Sequence, residues 1–264
     1  MQVKTPKTFS EKIIYRKLNT NPKKISPYVD KFKVRAFIEE TLGPEHLIPL
    51  LKKTTHLTPT DFTTLPSSFV IKTTHGGGGE HVLIVKDKSK INHNYICDRF
   101  NSLLNKKLGH AIDEPFYDIE KPSIIIEKLI RHTDGSYPSD YKFHIFNSKN
   151  GIKTFIQVDN DRFIRHKRSI FNEDLSKANF SIQPKYPEIE ADYIFPHNFE
   201  ETISIAKKIS GALSDSFKYL RIDMYNVDGK TYFGEITFCH GSGWEPIKPK
   251  SADRMLGELW DEFE

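Results

Sequence analysis

Two carboxylates flank an Asp228-Gly229 dipeptide at nearly matched distances: Asp223 lies five residues before Asp228, and Glu235 six residues after Gly229. The run around them, RIDMYNVDGKTYFGEITF, reads as two strands joined by a tight turn, because Asp-Gly between apolar and aromatic stretches is a strong hairpin signal. Pairing about that turn sets the two acids nearly opposite each other on neighbouring strands. Like charges so placed repel unless a cation stands between them. Magnesium takes oxygen ligands, commonly one or two carboxylates together with substrate phosphates. The competing reading is a pair of surface acids in cross-strand ion pairs. Ile222, Met224, Tyr232, Phe233 and Ile236 argue against it by making the hairpin central and largely buried, where an acid needs a partner. Arg221 stands two residues before Asp223 and so shares its strand face. It could stabilise charge on a transferring phosphoryl group, or simply pair with Asp223 or Glu235.

Upstream, Lys72 closes the β run Phe69-Val70-Ile71-Lys72, and His75-Gly76-Gly77-Gly78-Gly79-Glu80 follows. Consecutive glycines let backbone N–H groups turn inward without Cβ hindrance, which suits a phosphate chain. A flexible hairpin tip is the bland alternative, and the neighbouring lysine is what favours phosphate. No Gly-Lys-Ser/Thr closes the loop, so it is not a Walker loop. In protein kinases the Gly-rich loop precedes the strand lysine; here the order is reversed, and neither His-Arg-Asp nor Asp-Phe-Gly occurs. Glu127-Lys128-Leu129-Ile130 ends another apolar run and could hand its backbone edge to an adenine ring, although every buried strand ends somewhere. His75 and His240 flank glycines in candidate loops, and no His/Cys spacing fits zinc. Cys239 reads as a core thiol. Arg162, Arg165, Lys167 and Arg168, with His166, make a basic cluster that is either a solvated face or a loop recruiting an anionic acceptor, such as a carboxylate or a sugar-nucleotide diphosphate.

These groups need elements to hold them. Thr8-Phe9-Ser10-Glu11 offers an N-cap before Ile13, Ile14 and Leu18. A second helix is expected from Asp30, with Phe32, Val34, Phe37, Ile38 and Leu42 on one face and Gly43-Pro44 as its stop. Residues 54–67, rich in Thr and Pro, read as a linker. Strands are expected at 69–72 and 82–85 around the glycine loop, at 123–130, and as antiparallel pairs at 141–146 with 154–158 and 219–225 with 231–238. Helical spacing marks 91–109, 199–213 and 251–263. The class is α+β with mostly antiparallel sheets.

The chain has 264 residues, enough to bury a core without metal or disulfide staples. Its 12% aromatic content argues against disorder, and two cysteines cannot form a disulfide framework. No apolar run is long enough for a membrane span, and the opening MQVKTPKTFSEKIIYRKL lacks the apolar core of a secretory signal, so a cytoplasmic protein is expected. The net charge of +4 is unevenly spread: residues 1–66 carry 12 basic and 6 acidic side chains, residues 223–264 carry 4 and 9. A basic front and an acidic rear are not a nucleic-acid stripe. They fit a protein that handles an anion and a cation.

Taken in order, strand lysine, glycine flap, Glu-Lys-Leu-Ile hinge and Asp–turn–Glu hairpin resemble the ATP-grasp superfamily. The nearer resemblance is to the TupA-like ATP-grasp family, linked to teichuronopeptide and other surface-polysaccharide synthesis. It rests also on Lys121-Pro122, Asp140-Tyr141-Lys142-Phe143, Arg221-Ile222-Asp223-Met224-Tyr225 and Gly241-Ser242-Gly243. The resemblance implies two α+β lobes clasping ATP behind a reduced helical front: residues 1–66 as helical region and linker, 67–130 as the small lobe with the flap, 131–264 as the large lobe with the metal site. It implies phosphate binding by Lys72, His75 and Gly76 to Gly79, adenine binding by Glu127 with Lys128 and Ile130, and Mg²⁺ on Asp223 and Glu235. Many ATP-grasp enzymes have Glu-x-Asn where this chain has Glu235-Ile236-Thr237, and a threonine hydroxyl is a poorer ligand. Arg221 and Lys142 would serve the reacting groups, with Lys31 a weaker candidate. Arg162, Arg165, His240 and Ser242 are the candidate substrate residues. The implied reaction is amide formation through an acylphosphate, joining an amino acid to a uronic-acid sugar, its nucleotide-sugar precursor or a polymer. A sugar kinase and a non-enzymatic module binding anions or nucleic acid are the alternatives.

Overall fold

A computed structural model describes residues 5–77, 79–160 and 165–261. In chain order they form α1 (Phe9–Asn19), α2 (Pro22–Val29), α3 (Val34–Leu42), β1 (Leu50–Thr54), β2 (Phe69–Thr73), β3 (Val82–Val85), α4 (His93–Leu103), α5 (Leu108–Ile112) and β4 (Ile124–Lys128). Then follow β5 (Asp140–Ser148), β6 (Gly151–Asn160), β7 (Lys167–Asn172), β8 (Ser181–Ile182), α6 (Phe199–Ala212), β9 (Tyr219–Val227), β10 (Lys230–Thr237), β11 (Ile247–Lys248) and α7 (Lys250–Leu259). None of the described helices is long and apolar enough to cross a membrane. The chain divides into two units, Asn21–Phe37 with Leu47–Ile130, and Met1–Thr20 with Ile38–His46 and Arg131–Glu264. The first 66 residues are thus shared between the two units.

The unit holding 47–130 is built on a four-stranded antiparallel sheet, ordered β1-β4-β2-β3. Phe69, Ile71, Ile124 and Ile126 alternate onto one face and meet Ile96, Cys97, Phe100 and Leu103 of α4. Full burial of each such side chain contributes about 1.5–3 kcal/mol. The segment 54–67 is not a linker: Leu57, Phe62 and Leu65 are buried in this same core. Thr/Pro richness there serves a short 3₁₀ turn, Pro59–Thr63, which Asp61 stabilises by accepting from the Thr58 N–H at 2.8 Å. The helix expected from Asp30 begins at Val34 instead. Asp30 is buried, and its carboxylate caps the preceding turn, accepting from the N–H groups of Phe32 and Lys33 at 3.0 and 2.9 Å. The helix expected over 91–109 stops at Leu103, and α5 is separate.

The other unit is built on a five-stranded antiparallel sheet, ordered β10-β9-β5-β6-β7. One face carries Tyr141, Phe143, Ile145, Leu220, Ile222, Ile156 and Val158, all buried, and α6 lies over it with Phe199, Ile203, Ala206 and Ile209. The ring of Phe199 meets that of Tyr141 at 4.6 Å. Register puts Lys142, His144 and Phe146 on the opposite face, beside Asp223, Arg221 and Tyr219. That second face is split. Phe146 and Tyr219 lie under Phe9 of α1, whose ring is 5.9 and 4.8 Å away. The remainder carries Lys142, Arg221 and Asp223 beside the buried His144. α1 starts with the predicted cap, a capping box between Thr8 and Glu11. The last helix ends at Leu259, short of the expected 263; Phe263 is outside the described residues.

Candidate active site

The hairpin of β9 and β10 pairs Asp223 directly with Glu235. The count from the turn is unequal by one, and the register shifts between Phe233 and Glu235 to absorb it. Gly234 is the extra residue of this bulge. A Cβ there would lie 2.9 Å from the Asp223 carbonyl oxygen, so the bulge that aligns the two acids admits glycine.

Arg221 binds both carboxylates. Its Nε and Nη2 donate to the two oxygens of Asp223 at 2.6 and 2.8 Å, and Nη2 reaches Glu235 at 3.1 Å. Lys142 is the cross-strand partner of Asp223 on β5 and donates to it at 3.0 Å. Lys142 also lies 3.8 Å from Asp140 and 3.9 Å from Asp159. Burial by itself would raise the Asp223 carboxyl, but the Arg221 and Lys142 cations overcome it and hold the group well below the ordinary carboxylate range. Lys142 is likewise held above the ordinary lysine value by Asp140 and Asp223, despite its burial. Asp223 is fully enclosed, whereas the Glu235 side chain is 41% exposed. The expectation that both acids are buried therefore holds for one of them: β10 is the edge strand, and an edge leaves its outer side chain in water.

His240, Arg168 and His166 join the same network. Nη1 of Arg221 donates to His240 Nδ1 at 2.8 Å. Arg168 does not sit on a recruiting loop; β7 begins at Lys167, and the Arg168 guanidinium forks onto Asp159 at 2.5 and 3.2 Å. His166 meets the same carboxylate at 2.9 Å. Burial, largest of the effects on Asp159, is outweighed by Lys142 and Arg168, and its carboxyl also stays well below the ordinary range. Burial depresses His240 and pushes His144 further down, which favours the neutral form of both rings. Arg165 is exposed, and Arg162 is outside the described residues. Ser242 sits in the turn after His240 with its N–H on the Cys239 carbonyl at 3.0 Å. The Thr237 hydroxyl is 3.5 Å from Glu235.

A second cluster lies wholly in the other unit. Lys72 donates to Glu127 at 2.8 Å, and Arg35 donates to the second oxygen of Glu127 at 3.0 Å and to the Ile48 carbonyl at 3.0 Å. Val70 is the register partner of Glu127, so Lys72, two residues on, shares its face, opposite the apolar core. The Lys128 N–H donates to the Pro49 carbonyl at 2.9 Å, so that N–H is not available to a base. His75 does not face an open loop. It is buried, its Nε2 is 3.2 Å from the Lys106 carbonyl, and its ring stands edge-on to His81 at 5.4 Å. Gly76 is packed against His81, Gly77 and Gly79 have open space where a Cβ would stand, and Gly78 is outside the described residues. Lys31 holds the flap root, donating to the Gly76 carbonyl at 2.5 Å.

Spacing alone found Asp223, Glu235 and Arg221, and the resemblance added Lys142. Asp159, Glu245 and Arg35 were missed, because each depends on pairings or turns that no local pattern announces.

The sequence matches the TupA-like ATPgrasp family over residues 11–261. No curated protein matches it. Among solved structures, a D-alanine–D-alanine ligase from Bacillus anthracis is similar at 19% identity and TM-score 0.52, over 94% of this chain and 76% of that one. A biotin carboxylase–ATP-analogue complex from Campylobacter jejuni is similar at 11% identity and TM-score 0.50, over 91% and 46%. An N5-carboxyaminoimidazole ribonucleotide synthetase bound to ADP is similar at 16% identity and TM-score 0.49, over 81% and 45%. The chain thus spans about half the length of the last two. At these identities the likeness is one of fold.

Proposed function

This chain belongs to the TupA-like ATP-grasp family, and from that premise we propose that it is an ATP-dependent carboxylate–amine ligase forming an amide through an acylphosphate. The observation that carries the reading is the direct pairing of Asp223 with Glu235, with Arg221 and Lys142 on the same sheet face. A D-alanine–D-alanine ligase among the chains of like fold supports the reaction class.

Lys72 and the flap glycines would bind the phosphates; Glu127, Lys128 and Ile130 would hold the adenine. No group of three or more His, Cys, Asp or Glu among the described residues is arranged as a metal site. The pair Asp223 and Glu235 nevertheless fits magnesium: hard oxygen donors on adjacent strands, one kept ionised by its neighbours and one reaching solvent. Thr237 is marginal as a third donor. Bound magnesium would neutralise phosphate charge.

In the first step a substrate carboxylate oxygen attacks the γ-phosphorus of ATP; the bond to the ADP oxygen breaks, leaving an acylphosphate and ADP. An amine nitrogen then attacks the acyl carbon, phosphate departs, and the nitrogen gives up a proton. Arg221 would stabilise charge on the transferring phosphoryl group, and Lys142 would bind ATP or the acceptor. Excluding water from the acylphosphate falls to the glycine flap. The acceptor is proposed to be a uronic acid, free, nucleotide-linked or polymeric, and the amine an amino acid. Cytoplasmic ATP would supply the reaction.

The test crosses uronic acids and UDP-uronic acids with the twenty amino acids. Phosphate release is followed together with a dehydrative adduct by mass spectrometry. A ligase releases phosphate only when both partners are present. A phosphorylated sugar formed without amine would mark a kinase and overturn the reading.

A further inference from the structure

We propose that Glu245 is a positioning residue that fixes the orientation of His240 and, through it, aims the Arg221 guanidinium. The inference rests on the ligase reading only for its activity arm.

Arg221 is permanently protonated and has only donors. Its Nη1 lies 2.8 Å from His240 Nδ1, so while Glu245 holds the ring in that contact the nitrogen is a bare acceptor and the ring proton sits on Nε2. Nε2 is buried, and 3.1 Å from it lies Oε2 of Glu245. The contact is a close charge–dipole approach rather than a straight hydrogen bond. It is enough to favour the Nε2–H tautomer, since the opposite tautomer would set a ring N–H against the guanidinium and a lone pair against the carboxylate.

The chain is shaped to bring Glu245 there. Residues 240–243 make a tight turn with both Gly241 and Ser242 at φ 53°. A Cβ on Gly241 would stand 2.4 Å from Glu245 Cγ, so the carboxylate stem occupies the place a side chain would take. Glu245 is also 3.5 Å from Arg168 Nη1. The contacts close into a ring: Arg221, His240, Glu245, Arg168, Asp159, Lys142, Asp223 and back to Arg221. Burial would raise the Glu245 carboxyl, but the His240 N–H facing it and the Arg168 cation hold it at about 2, so it stays ionised. His144 stands edge-on to His240 at 4.8 Å and is neutral, which leaves Glu245 as the anion facing the ring.

Three variants test this. Long-range ¹H–¹⁵N spectra of the full chain without nucleotide should show His240 as the pure Nε2–H tautomer. Glu245→Gln, which keeps an acceptor oxygen, should preserve it. Glu245→Ala should give a tautomer mixture, and Gly241→Ala should do the same with Glu245 still present. In the phosphate-release assay, Glu245→Ala should lower kcat by roughly tenfold to a hundredfold, the range typical of residues that orient a site's own groups, with nucleotide KM within about twofold. An unchanged His240 tautomer in both Glu245→Ala and Gly241→Ala would overturn the proposal. Failure of the parent chain to make any adduct would sink the ligase reading and leave the spectroscopic result standing. If Glu245→Ala does not fold, Gly241→Ala against Glu245→Gln decides the question.

Discussion

Replacing Asp223 with Asn tests the charged sheet face without changing its shape. The parent carboxylate accepts three charge-assisted bonds, two from Arg221 and one from Lys142. Removing one partner of a buried ion pair costs about 3–5 kcal/mol, because the other charge stays buried and uncompensated. Here compensation survives in part: Arg221 keeps Glu235 at 3.1 Å, and Lys142 keeps Asp140 at 3.8 Å and Asp159 at 3.9 Å. The lower end, about 3 kcal/mol, is the expectation, equivalent to a Tm shift of roughly 6–12 °C at this size. The pH dependence follows from the direction of the shift. The folded carboxyl lies below its unfolded value of about 3.9, so its contribution is complete above that pH and is lost as pH falls toward the folded value. The difference between parent and variant should match at pH 7 and pH 4.5, and should be about 1.2 kcal/mol smaller at pH 3. Urea unfolding at the three pH values measures it. A variant within about 0.5 kcal/mol of the parent at pH 7, or a gap that does not narrow at pH 3, would refute the reasoning.

Glu235→Gln should separate stability from turnover: its half-exposed side chain predicts a stability change within about 0.5 kcal/mol, while phosphate release should fall about 10²–10³-fold. Thermal unfolding and the release assay on one preparation check both. Gly76→Ala and Gly77→Ala form a contrast within the flap. A Cβ at 76 would lie 2.1 Å from the His81 ring and at 77 would touch nothing within 4 Å, so the first should cost about 1–3 kcal/mol and the second less than about 0.5 by urea unfolding. Burial lowers His75, His81, His144 and His240 together. Unfolding free energy should then be level above their unfolded value of about 6.5 and decline as pH falls below it, since the unfolded chain takes up protons the buried rings refuse. A flat profile between pH 7 and 5 would show that these rings are not held neutral.

Local chemistry was legible wherever one turn or one strand carried it. Asp228-Gly229 announced the β9–β10 hairpin, and two-residue spacing placed Arg221 on the face of Asp223. The one-residue mismatch was visible in the count; its resolution as a bulge at Gly234 was not, because a bulge depends on which backbone hydrogen bonds the pair surrenders. Residues 54–67 misled because Leu57, Phe62 and Leu65 have neither helical nor strand period, yet they fill one core. α2 stayed hidden behind Pro22 and Pro27, the first at its N-terminus and the second inside it. Asp159 and Arg168 meet across β6 and β7, and Glu245 returns through a turn with three residues at positive φ. Such meetings depend on tertiary pairing, which a single sequence does not encode in any short window.

The two clusters also differ in their unbalanced charge. Around Glu127 two cations, Lys72 and Arg35, share one carboxylate, which leaves a surplus of one positive charge. On the five-stranded sheet, Arg221, Lys142 and Arg168 face Asp223, Glu235, Asp140, Asp159 and Glu245, so carboxylates predominate among the described residues. The described cluster around Glu127 thus leans toward cations, and the one around Asp223 toward carboxylates. Salt should therefore screen the contribution of the exposed Glu235 side chain steeply and that of the enclosed Asp223 side chain weakly.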